Sequence, residues 1–452
     1  MARDNIDWFI ALNIGATMLT LWLVYRVMAR LWSWWAGLLV LLLLATNAYL
    51  VDRAGQIASE PLFMLCSVAA VALLAGEGDT GSRRRIAAGA LAIAAAMTRS
   101  VGVALVIAVG LQWLMERRWK TVAIFGVVSL ATVGAWLLWT IHAPSQIGGE
   151  SYIGDAVVSI TTSHSGLVAT MIARVTNHLV DFGAQMLPLV LSAPSIPGTL
   201  IDNVLGTTIL GVATIAGLWA FWRSWRAASI YLLTTVGVLV AWPFMLTRFA
   251  IPLIPLLAAS LIAGMIALLR RPSATWRGAI LAILVLVLAA TGTVRSAALV
   301  AHRQGCERGA SPPGPACTAP DKASALAAAV WIGSHLPADA VVVYAKPETL
   351  AWYSNRKALP VRLQLARDST MVAQAEAAGA HWLLLSSVQA IETGPLLKRL
   401  HDECGDLVVE ATFPPRTWLF RLRDRPAADS SGCRAIAEYQ RLNRGRNFDT
   451  DN

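Results

Sequence analysis

Ten apolar stretches, separated by turns whose cations crowd onto alternate connections, constrain this chain more than any other feature. Together they describe an α-helical polytopic membrane protein and fix its orientation. The stretches run Trp8 to Met28, Leu31 to Leu50, Pro61 to Ala75, Ile86 to Met97, Val101 to Met115, Val122 to Ile141, Leu205 to Trp222, Ile230 to Phe244, Phe249 to Leu269 and Ala279 to Val294. Several are shorter than the roughly 20 residues a helix needs to cross a bilayer, so their edges are soft. Thirteen cations mark one set of turns: Arg26, Arg30, Arg83, Arg84, Arg85, Arg117, Arg118, Lys120, Arg223, Arg226, Arg270, Arg271 and Arg277. The alternate turns carry only Arg53, Arg99 and Arg248, with Arg3 before the first stretch and Arg295 after the last. The positive-inside rule makes the crowded side cytoplasmic and places both termini outside.

The composition, 56% hydrophobic and 14% charged with a mean hydropathy of +0.58, fits a membrane domain joined to a more ordinary one. A net charge of +10 does not point to nucleic acid, because the excess sits in the cytoplasmic turns, where cations orient helices and meet anionic lipid. No basic face interleaved with aromatics accompanies it. Of five cysteines, Cys66 lies in an apolar stretch, whereas Cys306, Cys317, Cys404 and Cys433 all fall in the region assigned outside. An oxidising compartment would let those four pair, the favoured pairings being Cys306 with Cys317 and Cys404 with Cys433; four free thiols are the alternative. Met1 to Asp7 contains two acids and the first apolar stretch is long, so no cleavable signal is expected. An outside N-terminus is awkward to insert without a preceding helix, which leads to the expectation of a further helix upstream.

The expected organisation is a membrane domain over 1–298, a linker over 299–321 rich in Gly and Pro, a small periplasmic α/β domain over 322–424, and a polar tail over 425–452 that is disordered or held only by Cys433. Within the α/β domain the pattern predicts helices over Ser324 to Leu336, Thr370 to Ala378 and Pro395 to Glu403. Strands are expected over Ala340 to Tyr344 and Trp382 to Leu385, with a hairpin of Leu407 to Phe413 and Trp418 to Leu422 around Pro414-Pro415. No phosphate loop, nucleophile elbow or metal-ligand spacing appears there, which points to an accessory role. The outer loop over 142–204 contains a half-apolar run from Leu167 to Leu191, expected to lie along the interface as an amphipathic helix. His142 and His164 stand without partners and read as surface residues.

Three outer-face elements break the charge pattern. Ser59-Glu60-Pro61-Leu62-Phe63 puts a carboxylate at a helix start, where capping alone would explain it. Thr98-Arg99-Ser100 and Thr247-Arg248-Phe249 put guanidiniums between apolar runs. Charges at such depth either snorkel to headgroups or line a polar cavity that takes an anion, and guanidinium matches phosphate well.

These elements, with the run from Leu12-Asn13 to Tyr25-Arg26, the Thr98-Arg99-Ser100-Val101-Gly102 turn and the stretch Thr247-Arg248-Phe249-Ala250-Ile251-Pro252-Leu253-Ile254-Pro255-Leu256, resemble the GT-C superfamily of polyprenyl-phosphate-sugar-dependent glycosyltransferases, which includes protein mannosyltransferases and the lipid A aminoarabinose transferase. The resemblance covers roughly Asn5 to Leu269. It implies an inverting transferase in a bacterial inner membrane that moves a sugar from a polyprenyl-phosphate donor to a lipid, glycan or protein acceptor in the periplasm. On it, Arg99 and Arg248 hold the departing phosphate, and Glu60 shapes the acceptor side of the cavity or a metal side, a divalent cation being admissible there. The first span here matches the family's second helix, so the loop bearing the family's usual catalytic aspartate has no counterpart; Asp4 and Asp7 lie on the correct side and are the substitutes on offer. Rival readings are a polymerase or ligase of another membrane fold, a transporter or flippase of a lipid-linked substrate, and a catalytically inactive relative.

Overall fold

The computed structural model describes residues 6–56, 58–76, 81–142, 167–183, 187, 191–192, 200–241, 247–269, 274–304, 320–360, 370–387, 400–423 and 430–443. The chain forms two compact units, one of Met1–Thr140 with Val158–Val300 and the other of Ile141–Val157 with Ala301–Asn452.

The first unit is helical: α1 Ile6–Leu31, α2 Trp34–Ala45, α3 Ala48–Ala54, α4 Glu60–Leu73, α5 Ser82–Thr98, α6 Val103–Met115, α7 Trp119–Ser129, α8 Ala135–His142, α9 Leu167–Asp181, α10 Leu200–Ser224, α11 Arg226–Ala241, α12 Thr247–Ala250, α13 Ile254–Leu268 and α14 Ala274–Gln304. Each of the ten apolar stretches is helical over most of its described length. By length and composition, Asp7–Leu31, Ile251–Leu268 and Gly278–Ala301 suffice to cross a membrane, and the pair α2 and α3, bent by 64°, makes a fourth if it is one crossing. Glu60–Leu73, Ser100–Met115, Trp119–Gly134 and Arg226–Val240 are shorter apolar helices. The 14 residues of α4 rise about 21 Å, short of a hydrocarbon core of about 30 Å.

Side-chain chemistry explains the breaks. Between α2 and α3, Asn47 Oδ1 accepts from the backbone N–H groups of Tyr49 and Leu50 at 3.1 and 3.2 Å and restarts the helix on a new axis. Between α5 and α6, Gly102 donates its N–H to the Arg99 carbonyl at 2.8 Å, and a Cβ there would meet the Ala96 Cα and N at 2.6 Å. Only glycine lets the turn fold back so closely. Helices α10 and α13 pack backbone to backbone, since a Cβ on Gly217 would strike the Ser260 carbonyl and one on Gly264 the Ala213 carbonyl. Trp8, Met18, Trp22, Trp119, Ile215 and Ile283 face outward, the surface expected against lipid. Helix α9 docks on α11 through His178 Nδ1 and the Val240 carbonyl, 3.0 Å apart, and leaves Ile172, Leu179 and Val180 exposed, as an amphipathic helix does.

The second unit is an α/β sandwich: α15 Pro320–His335, β1 Val341–Tyr344, α16 Pro347–Ser354, β2 Lys357–Pro360, α17 Met371–Ala377, β3 Trp382–Ser386, β4 Leu407–Phe413, β5 Thr417–Leu422 and α18 Ser431–Asn443. The sheet order is β2-β1-β3-β5-β4; β1, β2 and β3 run parallel, and β5 lies antiparallel to both β3 and β4. Both faces are covered. Val342, Tyr344, Leu384 and Leu419 pack with Ile332, Leu336 and Leu350 on one side, and Val343, Leu383, Leu385 and Phe420 pack with Val372, Ala375, Ile436 and Tyr439 on the other. That double burial is why β1 reads as an uninterrupted apolar run rather than an alternating one.

Two expectations are corrected here. The segment expected as a polar tail over 425–452 contains helix α18, whose Ala435, Ile436 and Tyr439 are buried and whose Cys433 is disulfide-bonded to Cys404. Its apolar residues are few but fall at helical spacing on one face, so a polar average concealed an amphipathic helix. The unit also holds α16 and β2, absent from the sequence reading because both are short and Asn355, at φ 53°, turns directly from one into the other. Of Pro395 to Glu403, all before residue 400 lies outside the described residues, as do Cys306 and Cys317.

Candidate functional site

Glu60 opens α4, with Pro61 in the first turn, where its missing N–H costs nothing. The preceding Ser59 makes no capping hydrogen bond; its Oγ instead accepts from Arg99 Nη1 at 3.4 Å. Arg99 closes α5 in an extended conformation that turns its side chain back toward the start of α4. The same Nη1 lies 2.7 Å from Glu60 Oε1, and the two side chains are 10% and 1% exposed. The guanidinium carbon stands 5.8 Å from the centre of the Phe249 ring, within cation–π reach. Phe249 belongs to α12, and the turn after it, Ile251–Leu253, packs on α4.

Three segments far apart in sequence thus converge on one buried ion pair. A desolvated pair repays the cost of burial only when the geometry is good, and a charge-assisted bond of 2.7 Å meets that condition. Among the described residues only Nη1 of Arg99 is engaged, so Nε and Nη2 remain available to an acceptor.

Beside the pair lies a cleft of about 320 Å³ lined by Phe9, Leu12, Asn13, Ala58, Ser59 and Leu62. Asn13 ties this lining to a polar chain: its Nδ2 donates to the Gln56 carbonyl at 2.6 Å, Gln56 Nε2 donates to both Asp52 oxygens, and Arg53 Nη1 donates to Gln56 Oε1 at 3.0 Å. A mostly apolar cleft with one polar rim suits a ligand that is part lipid and part headgroup.

Of the residues singled out from sequence, Glu60 and Arg99 meet. Arg248 lies next to Phe249 in α12, and its side chain is outside the described set. Asp7 is exposed in the first turn of α1, where its charge complements the helix dipole. Asp4 and His164 lie outside the described residues, as does the side chain of His142. Cys66 is a buried free thiol within α4. Among the described residues no group of three or more His, Cys, Asp or Glu could hold a metal ion. Asn13, Gln56 and Phe249 were not foreseen as site residues. Asn13 had a signal, since a buried amide within an apolar helix is costly and needs a partner.

The site therefore defines a helical membrane protein with an ion pair beside a cleft. Two crystal structures of ArnT from Cupriavidus metallidurans are similar to the chain. The undecaprenyl phosphate-bound form is 13% identical, covers 93% of this chain and 85% of its own, and has a TM-score of 0.49. The apo form is 14% identical, covers 91% and 83%, and has a TM-score of 0.34. No family model and no curated protein matches the chain.

Proposed function

We propose that this protein is a membrane glycosyltransferase of the GT-C type, which moves a sugar from a polyprenyl-phosphate donor to a lipid, glycan or protein acceptor on the outer side of the membrane. The observation that carries the reading is the meeting of Glu60, Arg99 and Phe249, because it joins the three outer-face motifs in one buried site beside a lipid-compatible cleft. In this reading Glu60 fixes the guanidinium of Arg99, which together with Arg248 binds the donor phosphate and stabilises the charge that builds as it leaves. The acceptor oxygen forms its bond to the anomeric carbon while the bond to the phosphate oxygen breaks, which inverts the configuration. A carboxylate takes the acceptor proton, and Glu60, Asp7 and Asp4 are the candidates.

The test is transfer of label from a radiolabelled polyprenyl-phosphate sugar in purified membranes, comparing the chain with Arg99→Ala and Arg248→Ala. Each substitution is expected to reduce transfer by about 10²- to 10³-fold, the usual loss when one donor to a developing anion is removed. Lipid translocation without sugar transfer would favour the transporter reading instead.

A further inference from the structure

The sheet of the second unit ends in a polar edge that the transferase reading does not use. Strand β1 has β2 on one side and β3 on the other, all parallel; the chain passes from β1 to β2 and then back across to β3, so the switch point lies between the carboxyl ends of β1 and β3. In open α/β sheets such a switch point is where ligands bind. Hydroxyls line this edge. Tyr344 closes β1 and its OH lies 3.0 Å from Ser386 Oγ at the end of β3, both side chains being buried. Tyr439 of α18 donates to the Ser386 carbonyl at 3.1 Å. Across the ladder, Thr417 pairs with Ser386, and its Oγ1 lies 2.8 Å from Ser324 Oγ of α15.

Ser387 follows Ser386 in the chain and Arg416 precedes Thr417, so the two flank the last pair of the β3–β5 ladder. Ser387 is 8% exposed and its Oγ has no hydrogen-bond partner among the described residues. Arg416 Nε and Nη1 are likewise buried and without one, the nearest charge being Asp321 Oδ2, 3.6 Å from Nη1. An isolated orphan is an oddity of packing. Here, orphaned donors stand on the two residues that flank the last pair of the β3–β5 ladder, one of them cationic, one strand over from the switch point. Each would cost about 1–3 kcal/mol if left unmet, so the arrangement calls for an acceptor with several oxygens.

We infer that this edge is a binding site for a phosphoryl oxyanion, with Arg416 supplying the charge and Ser387 a hydroxyl. The phosphoryl group can be borne by inorganic phosphate, a sugar phosphate or a phospholipid headgroup, and the inference is independent of the proposed transfer reaction.

The test uses the purified full chain in detergent and follows ³¹P line broadening of inorganic phosphate, glucose 1-phosphate and dihexanoyl phosphatidic acid in turn. At least one probe is expected to show saturable broadening that Arg416→Gln weakens about tenfold or more and Ser387→Ala about threefold, the ranges for a charged and a neutral hydrogen bond. The probe bound most tightly names the source of the phosphoryl group. The Arg416-dependent component should persist in Arg248→Ala, which separates this edge from the donor cavity. Ser387→Ala removes only a buried hydroxyl, so it reports on the site even if Arg416→Gln fails to fold. Broadening that neither substitution changes, or none for any probe up to about 10 mM, would overturn the inference and leave the orphaned atoms to water.

Discussion

Arg99 and Arg416 are both largely buried arginines beside a carboxylate, yet they are bound in opposite ways. Arg99 holds Glu60 at 2.7 Å and Ser59 at 3.4 Å and lies over Phe249, so its position is set by three segments before any ligand arrives. Arg416 stands 3.6 Å from Asp321 with two buried nitrogens lacking a hydrogen bond among the described residues. The difference separates a cation whose placement the fold has completed from one whose donors await an acceptor. Burial alone would class them together; hydrogen-bond satisfaction tells them apart.

The comparison breaks most visibly at Arg99. Arg99→Ala removes the guanidinium 2.7 Å from the buried Glu60 carboxylate and is expected to destabilise the first unit by about 3–5 kcal/mol, read as a lower thermal unfolding midpoint in detergent. Glu60→Gln with Arg99→Gln should recover much of that loss while transfer stays abolished. Recovery of transfer in the double variant would mean that neither charge serves the reaction. Next in size, Cys404→Ser should cost the second unit about 2–4 kcal/mol, because the bond to Cys433 anchors α18 and with it Tyr439. Phosphate binding at the sheet edge should weaken with it, whereas sugar transfer, which depends on Glu60 and Arg99, should remain; loss of both together would show that the two sites are not separable.

Gly102→Ala should cost about 1–3 kcal/mol, since the new methyl meets the backbone of Ala95 and Ala96 and pushes the turn that carries Arg99. Transfer should fall more than the midpoint does, which a comparison of rate and unfolding in one preparation would reveal. The smallest effect is one of pH. Burial raises the Tyr344 hydroxyl above its ordinary value of 10.0, an effect partly offset by its hydrogen bond to Ser386. A raised folded value means that the contribution is fully present below the ordinary value and is lost as pH rises through the folded one. The second unit should therefore weaken in strong alkali, and Tyr344→Phe should flatten that slope in a pH series of unfolding midpoints.

Much of the architecture was legible along the chain because its signals are local. Apolar runs and the arginines between them marked every helix of the first unit that carries a motif, a β-branched run marked β1 and a short apolar run marked β3. Helix α18 was missed because a helix can bury one face on very few apolar residues. The motifs around Glu60, Arg99 and Arg248 were legible as breaks in the charge pattern, and the resemblance to one family of transferases rested on them.

What the sequence determined by itself is which segments of the first unit form the apolar helices, where cations interrupt them, and that Glu60 and Arg99 sit at helix ends. Only the tertiary structure decided that Glu60 and Arg99 share a bond, that Phe249 covers it, and that Ser386 pairs with Thr417 at the end of the sheet. Periodicity is set by the geometry of neighbouring residues. These contacts are set instead by how close helices can approach, through glycines such as Gly102, and by strand register, and neither is written at any single position.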